Sequence, residues 1–349
     1  MSQEFNLVSE LALIMIAAGL FTVLFRILKQ PLILGYIIAG FVIGPRLGLF
    51  PGITGSDETV KLWSEIGIIF LLFGLGLEFS FKKLVKIGGS ALIMAGTKFT
   101  GMFILGILVG SAMSWSTMES LFLGGMLAMS STTIVLKVYN DLGMKDSSHA
   151  SLVFGSLVFE DLIAVLLMVL LSTLAVSNSF DGGKILFALV KMVFFVILWF
   201  LVGIYVIPTL LTSTHKYLTD EILLIIALGL CFGMVVLAQL VGFSSALGAF
   251  VMGSLLSETL QGERIARLTG SIKDMFGAIF FVSVGMMVDP AVIMQYWNVI
   301  LLLTAVVIAG VLFFSTSGAI LAGQGLDKAV HCGFSLAMLG EFAFIIANL

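Results

Sequence analysis

Long apolar runs separated by short polar breaks dominate the chain. They predict spans at about 7–25, 31–46, 62–80, 88–113, 119–139 and 149–175, then at 184–211, 219–240, 243–258, 269–288, 297–322 and 330–349. About twenty apolar residues carry a helix across hydrocarbon. The runs are continuous rather than alternating, which favours helices over barrel strands. The pattern therefore predicts an all-α polytopic membrane protein. The runs 31–46 and 243–258 are short, so they are expected to be tilted into loops or partly re-entrant.

An internal repeat accompanies these runs, at a constant offset of 209 residues. Phe41-Val42-x-Gly44 matches Phe250-Val251-x-Gly253, and Gly76 matches Gly285. Gly124-x-x-Leu127-Ala128-Met129 matches Gly333-x-x-Leu336-Ala337-Met338. The offset equals seven spans, an odd number, so equivalent helices run in opposite directions. This is an inverted-topology repeat, with span seven as connector. Asp161 would have its equivalent beyond Leu349. The repeat therefore leads to an expected thirteenth span, near 358–384, missing from this chain.

Composition and charge narrow the class. Of 349 residues, 60% are hydrophobic and 11% charged, with a mean hydropathy of +1.20. Soluble proteins average about 25% charged residues. The net charge of −3 leaves no nucleic-acid footprint. Cys231 and Cys332 lie in apolar runs and read as packing residues. Most lysines and arginines follow odd-numbered spans, whereas Arg46, Lys61 and Lys184 mark the other side. The positive-inside rule then puts the N-terminus outside. The first run lacks a basic start, so it reads as a span and not a cleaved signal.

The candidate chemistry lies inside the apolar runs. Glu160 and Asp161 are adjacent in the middle of 150–175. A charge at the bilayer centre costs roughly 2.5–3.5 kcal/mol on the mildest scale, so such acids mark ion or proton sites. Adjacent residues on a helix point about 100° apart, so the two acids do not easily share a partner. The alternative is a protonated pair or a structural ion pair. Span five holds Ser130-Ser131-Thr132-Thr133, and span twelve holds Gly340-Glu341 at the matching place. Paired interruptions point to two discontinuous helices and a midplane site. Their N-terminal ends would need an anion nearby, for which Glu341 is a candidate. The alternative is a continuous helix whose hydroxyls bond their own carbonyls. Lys98, deep in span four, should seek Glu160, Asp161 or Glu341, or else snorkel to a surface.

Other polar positions read as structural. Glu78 and Asp289 end spans three and ten, where an acid caps or meets water, and His149 reads as a lone interfacial histidine. Gly35, Gly40, Gly44, Gly74 and Gly76 read as close-packing positions.

Four motifs carry a resemblance. They are Pro31-Leu-Ile-Leu-Gly-Tyr-Ile-Ile-Ala-Gly40 with Gly44-Pro45, Phe70-Leu-Leu-Phe-Gly-Leu-Gly-Leu-Glu-Phe79, Ser130-Ser-Thr-Thr-Ile134 and Gly340-Glu-Phe-Ala-Phe344. With them the whole chain resembles the monovalent cation/proton antiporter superfamily, and within it the Kef-type potassium/proton antiporters. The resemblance implies thirteen spans in a two-domain elevator. A scaffold and dimerisation domain would comprise 1–80 and 212–290. A core ion-transport domain would comprise 81–175 and 291–349, with 176–211 as the linker helix. It also implies a homodimer in a bacterial plasma (inner) membrane. A cytoplasmic nucleotide-binding regulatory domain or ancillary subunit, outside this chain, often accompanies such proteins. This chain has Glu160-Asp161 where Kef-like members have Gln-Asp and sodium carriers Asp-Asp or Asn-Asp. It has no basic residue in span eleven, where Val307 is the repeat counterpart of Lys98.

The expected function is secondary transport exchanging a monovalent cation, potassium rather than sodium, for protons, without a cofactor in this segment. Asp161 would be the shared site, binding the metal cation with Thr132, Ser131 and backbone carbonyls, with Glu160 beside it. Ser130, Thr133, Gly340, Glu341 and Lys98 would set the electrostatics of the helix crossover. Sodium/proton exchange is the near alternative. A gated cation channel and a transport-dead sensor are the alternatives of another class.

Overall fold

The computed structural model describes residues 2–47, 49, 57–78, 88–144, 147–177, 218–241 and 243–347, with isolated positions between 190 and 205. Span seven falls almost wholly outside the described residues, as do Lys82, Lys83 and Lys86. The described regular elements are helices: α1 Ser2–Ile27, α2 Leu32–Ile43, α3 Asp57–Glu78, α4 Gly89–Ala112, α5 Thr117–Leu127, α6 Thr132–Asp141 and α7 Ala150–Ser177. They continue with α8 Asp220–Val241, α9 Ser245–Ser257, α10 Gly262–Met286, α11 Pro290–Gln295, α12 Trp297–Leu321, α13 Leu326–Leu336 and α14 Glu341–Ala347. Among the described residues, seven helices are long and apolar enough to span a membrane, while α2 and α9 are shorter apolar helices.

The starts of two helices, one short helix between spans and the continuous-helix alternative are what differ, whereas the expected spans 119–139 and 330–349 are interrupted as the paired breaks predicted. Each is two short helices, α5 with α6 and α13 with α14. The alternative of a continuous hydroxyl-bearing helix is thereby overturned. Helices α3 and α10 begin at Asp57 and Gly262, earlier than the apolar runs at 62 and 269. A helix continues through polar residues once they find partners, and Arg264 in the first turn of α10 reaches Asp220 at 2.6 Å. The short α11 is apolar but only 6 residues long, too short to register as a span between the runs at 269–288 and 297–322.

The chain divides into two compact units. The first is Met1–Ser80 with Ser179–Val292. Its helices meet through glycine. A Cβ on Gly40 would overlap the Val282 carbonyl, and one on Gly285 the Ile37 carbonyl. A Cβ on Gly76 or Gly253 would lie 3.0 Å from the other glycine's Cα. Such close backbone approach substitutes for the hydrophobic drive that lipid does not supply. Around these contacts Ile14, Ala18, Ala39, Ile43, Val282 and Met286 form a buried apolar cluster, and Phe70 stacks on Phe276 at 4.2 Å. Glu78 and Asp289, expected as caps or solvated ends, form ion pairs with Lys273 at 2.6 Å and Arg46 at 3.2 Å. Asp289 also accepts from the Ala291 N–H at 2.8 Å, capping α11.

The second unit is Phe81–Asn178 with Ile293–Leu349. Here the repeat becomes three-dimensional. At the offset of 209, α5 maps onto α13 end for end, and the starts of α6 and α14 coincide. Repeat mates α4 and α12 pack against each other: Gly318 meets Met94, Gly101 meets Phe314 and Gly310 meets Leu105. Contacts that descend along one helix as they ascend the other make the pair antiparallel, as an inverted repeat demands. The same glycine contacts recur in both halves. Gly124 abuts Phe103 and Ile107, and its mate Gly333 abuts their mates Leu312 and Thr316.

Candidate functional site

The site is built where α5–α6 and α13–α14 are interrupted. Residues 128–131 leave the helix after Leu127, and residues 337–340 leave it after Leu336. The two extended links pair as an antiparallel bridge centred on Ser130 and Leu339. Ser131 N–H donates to the Met338 carbonyl at 3.0 Å, and Gly340 N–H donates to the Met129 carbonyl at 3.1 Å. Backbone groups freed from the helices are thereby satisfied within protein, the condition for irregular backbone at membrane depth. Gly340 must lack a side chain, because a Cβ there would lie 2.5 Å from the Ser130 carbonyl oxygen.

Four consecutive hydroxyl residues restart the chain as α6. Ser131 Oγ accepts from Ile134 N–H at 3.2 Å, the bond expected of a helix N-cap. Ser130 and Ser131 are both buried. Thr132 Oγ1 donates to the Asp161 carboxylate, 3.0 Å from Oδ1 and 3.2 Å from Oδ2.

One step along α7, Glu160 faces a different set of groups. Its side chain is 1% exposed, and Lys98 of α4 is fully buried beside it. Lys98 Nζ lies 2.5 Å from Glu160 Oε2 and donates to Ser130 Oγ at 2.6 Å. The same Oε2 accepts from Ser130 N–H at 3.2 Å, and Oε1 accepts from Ser156 Oγ at 3.3 Å. Ser130 Oγ passes its own proton on to the Leu336 carbonyl at 2.7 Å. A buried pair survives desolvation only when its remaining hydrogen-bonding capacity is met, and here both partners carry additional bonds.

The arrangement gives the two adjacent acids different partners. Glu160 is matched by a lysine, so the pair is formally neutral. Asp161, partly exposed, meets a hydroxyl. Of the three acids open to Lys98, the structure selects Glu160. Lys98 does not snorkel to a surface. The backbone of Glu341 opens α14 beside the crossing, whereas the side chains of Glu341 and Thr133 lie outside the described residues. The anion at the start of α6 is Glu160, through Ser130 N–H. Thus Lys98, Ser130, Ser131, Thr132, Glu160, Asp161 and Gly340 come together within one unit.

Two participants escaped the sequence reading. Ser156 sits four residues before Glu160, a spacing that puts both on one helix face. The Leu336 carbonyl carries no side-chain signal, but a helix end at the repeat position could have pointed to it. His149 also needs correction: it is not lone, but stacks on His331 with centroids 5.1 Å apart.

Paired helix breaks crossing beside a buried charge cluster, in an all-helical frame of apolar spans, define an antiporter-type membrane fold. The chain belongs to the family described as sodium/hydrogen exchanger, transmembrane, whose sequence model matches residues 11–349. YbaL of Escherichia coli (strain K12) is 32% identical over 334 residues, covering 92% of this chain and 58% of that protein. The chain therefore spans under two thirds of that relative's length. The K(+)/H(+) antiporter subunit KhtU of Bacillus subtilis (strain 168) is 29% identical over 99% of this chain and 86% of KhtU. The solved sodium proton antiporter MjNhaP1 from Methanocaldococcus jannaschii shares the fold, with a TM-score of 0.73 at 17% identity, over 100% of this chain and 86% of that one.

Proposed function

We propose that this protein exchanges a monovalent cation for protons across the membrane, with potassium as the preferred cation and Asp161 as the site both ions share. The observation that carries the reading is the division of labour on α7. Lys98 neutralises Glu160, while Asp161 keeps a carboxylate beside the Thr132 hydroxyl. Deprotonated Asp161 takes a dehydrated cation, joined by the Thr132 oxygen and by backbone carbonyls at the crossing. Protonated Asp161 is neutral and carries the proton instead. One carboxylate holds either ion but not both, and that exclusion is the coupling. Ser131 acts through the N-cap of α6, which holds Thr132 in place.

The unit carrying the crossing would move as an elevator, and the glycine-packed unit would serve as scaffold and dimer interface. A homodimer in a bacterial plasma membrane, N-terminus outside, completes the proposal. A nucleotide-binding regulatory domain or ancillary subunit outside this chain would govern it. Potassium is favoured by the Kef-like motifs and by the likeness to KhtU along nearly the whole chain.

Proteoliposomes with an entrapped pH dye test this. Addition of potassium or rubidium should release protons from the lumen of protein-containing vesicles, and Asp161→Asn vesicles should give none. A response to sodium or lithium alone would make it a sodium/proton antiporter. Cation flux without proton movement would indicate a channel, and no flux at all a sensor.

A further inference from the structure

A second cluster of titratable groups lies in the same unit and is not used by the exchange chemistry. His149 immediately precedes α7, the helix of Glu160 and Asp161, and its side chain is 7% exposed. His331 lies on α13, the helix that ends at the crossing. The rings are nearly parallel, 14° apart, with centroids 5.1 Å apart. Tyr139, near the end of α6, packs edge-on against His149 at 5.7 Å and hydrogen-bonds Ser335 of α13 at 2.7 Å. A cavity of about 190 Å³ opens alongside, its walls including Val135, Tyr139, His149, His331 and Met338. The stack thus joins three of the elements that shape the site: α6, α7 and α13.

We propose that the His149–His331 stack is a pH-sensitive latch between the start of α7 and α13, closed while His149 is neutral and released when it is protonated. An imidazolium at His149 gains no counter-charge from the stacked ring of His331, and the apolar walls of the cavity leave it little solvent, so the closed latch opposes its charge. The charged and titratable groups facing the pair, among the described residues, come from few places. On α13 they are Asp327, with Oδ1 3.9 Å from His331 Nε2, and also Lys328 and Cys332. On α6 there is Tyr139, and before α7 Ser147 Oγ lies 3.4 Å from His149 Nε2. The Asp327–His331 contact is long and exposed, so it biases the latch without overriding the effect of burial.

The sign of the effect follows from burial. Desolvation holds the His149 imidazole below its ordinary range. His331 pushes in the same direction, Asp327 opposes, and Lys328 adds to the lowering. The closed latch therefore binds protons less readily than the open one. Closure is fully favoured above about pH 6.5, the value of a free imidazole, and weakens as the pH falls below it. Release frees α13, whose C-terminal end leads directly into Met338 and Leu339 at the crossing, so acid loosens the bridge that positions Asp161. The latch does not depend on which ion Asp161 carries.

Hydrogen–deuterium exchange on the full chain in nanodiscs, without ion gradients, tests it apart from transport. After correction for intrinsic exchange, protection of residues 326–336 should fall about three- to tenfold between roughly pH 7.5 and pH 5.5, the span expected of one linked proton. In His331→Gln this fall should shrink, leaving the part due to burial of His149, and in Asp327→Asn it should deepen. Asp161→Asn, dead for exchange, should keep the wild-type profile. PH-independent protection in the wild type would overturn the latch. So would an unchanged fall in His331→Gln or in Asp327→Asn.

Discussion

Met129 and Met338 occupy equivalent positions in the two halves of the chain, and each accepts a backbone hydrogen bond from the other half. Met129 takes Gly340 N–H at 3.1 Å, and Met338 takes Ser131 N–H at 3.0 Å. The donors are themselves equivalent at the same offset. The crossing is therefore a local two-fold element between repeats. Its side chains break the symmetry: Ser130 is opposite Leu339, and Lys98 has Val307 as its mate. A symmetric frame holds a one-sided charge cluster. Among the described side chains, only the α4, α6 and α7 side brings lysine, hydroxyls and acids together.

That closeness makes Gly340 a sensitive position. Gly340→Ala places a methyl against the Ser130 carbonyl, where the neighbour is backbone and does not yield cheaply. Overpacking of this kind costs about 1–3 kcal/mol. The expected outcome is a folded protein with exchange reduced at least several-fold, measured in proteoliposomes. Wild-type rates would show that the bridge does not position the site.

Asp161→Asn should abolish cation-dependent proton movement while leaving expression and thermal stability close to wild type. The amide keeps the size of the carboxylate and accepts the Thr132 bond, but has no proton to release. Retained exchange would remove Asp161 from the mechanism. Thr132→Val should give the milder defect, a raised apparent KM for the cation with proton binding retained.

Lys98→Ala should act chiefly on stability. Breaking a buried pair by removing one partner costs about 3–5 kcal/mol. Glu160 is then left buried with Ser130 and Ser156 but without its counter-charge. The melting temperature should fall on the order of 5–10 °C near neutral pH. The pH optimum of transport should hardly move, because Asp161 is not the partner. Lys98→Met with Glu160→Leu should recover much of the lost stability. Unchanged melting together with an unchanged pH profile would deny the pair a structural role.

Much of this was legible in the sequence, for physical reasons that also mark where legibility ended. A lysine amid apolar residues announces a buried partner, because no other environment at that depth is affordable. It does not say which acid, since the choice between Glu160 and Asp161 depends on the rotation of α7 against α4. Four hydroxyls opposite Gly340-Glu341 announced a pair of broken helices, but not that the links would pair as a bridge centred on Ser130. The early starts of α3 and α10 were hidden because a polar helical turn outside hydrocarbon leaves no trace in an apolar run. His149 looked solitary because its partner His331 lies 182 positions away, and a stacking contact has no sequence period.

On the proposed exchange at Asp161, the charge balance of the site would set the coupling ratio. Lys98 and Glu160 cancel each other, both bonded within the pair and to Ser130, so neither is free to exchange a proton during a cycle. Asp161, hydrogen-bonded to Thr132, lies outside that pair and is the proposed site of exchange. One bound monovalent cation neutralises it, and so does one bound proton, so both loaded forms cross with the same net charge. Exchange should therefore be one for one and insensitive to membrane voltage. In proteoliposomes the proton flux should vanish when the cation ratio across the membrane equals the proton ratio, at any imposed potential. A balance point that shifts with voltage would mean that a second proton crosses per cation. Lys98 or Glu160 would then have to titrate in the cycle, which their mutual pairing opposes.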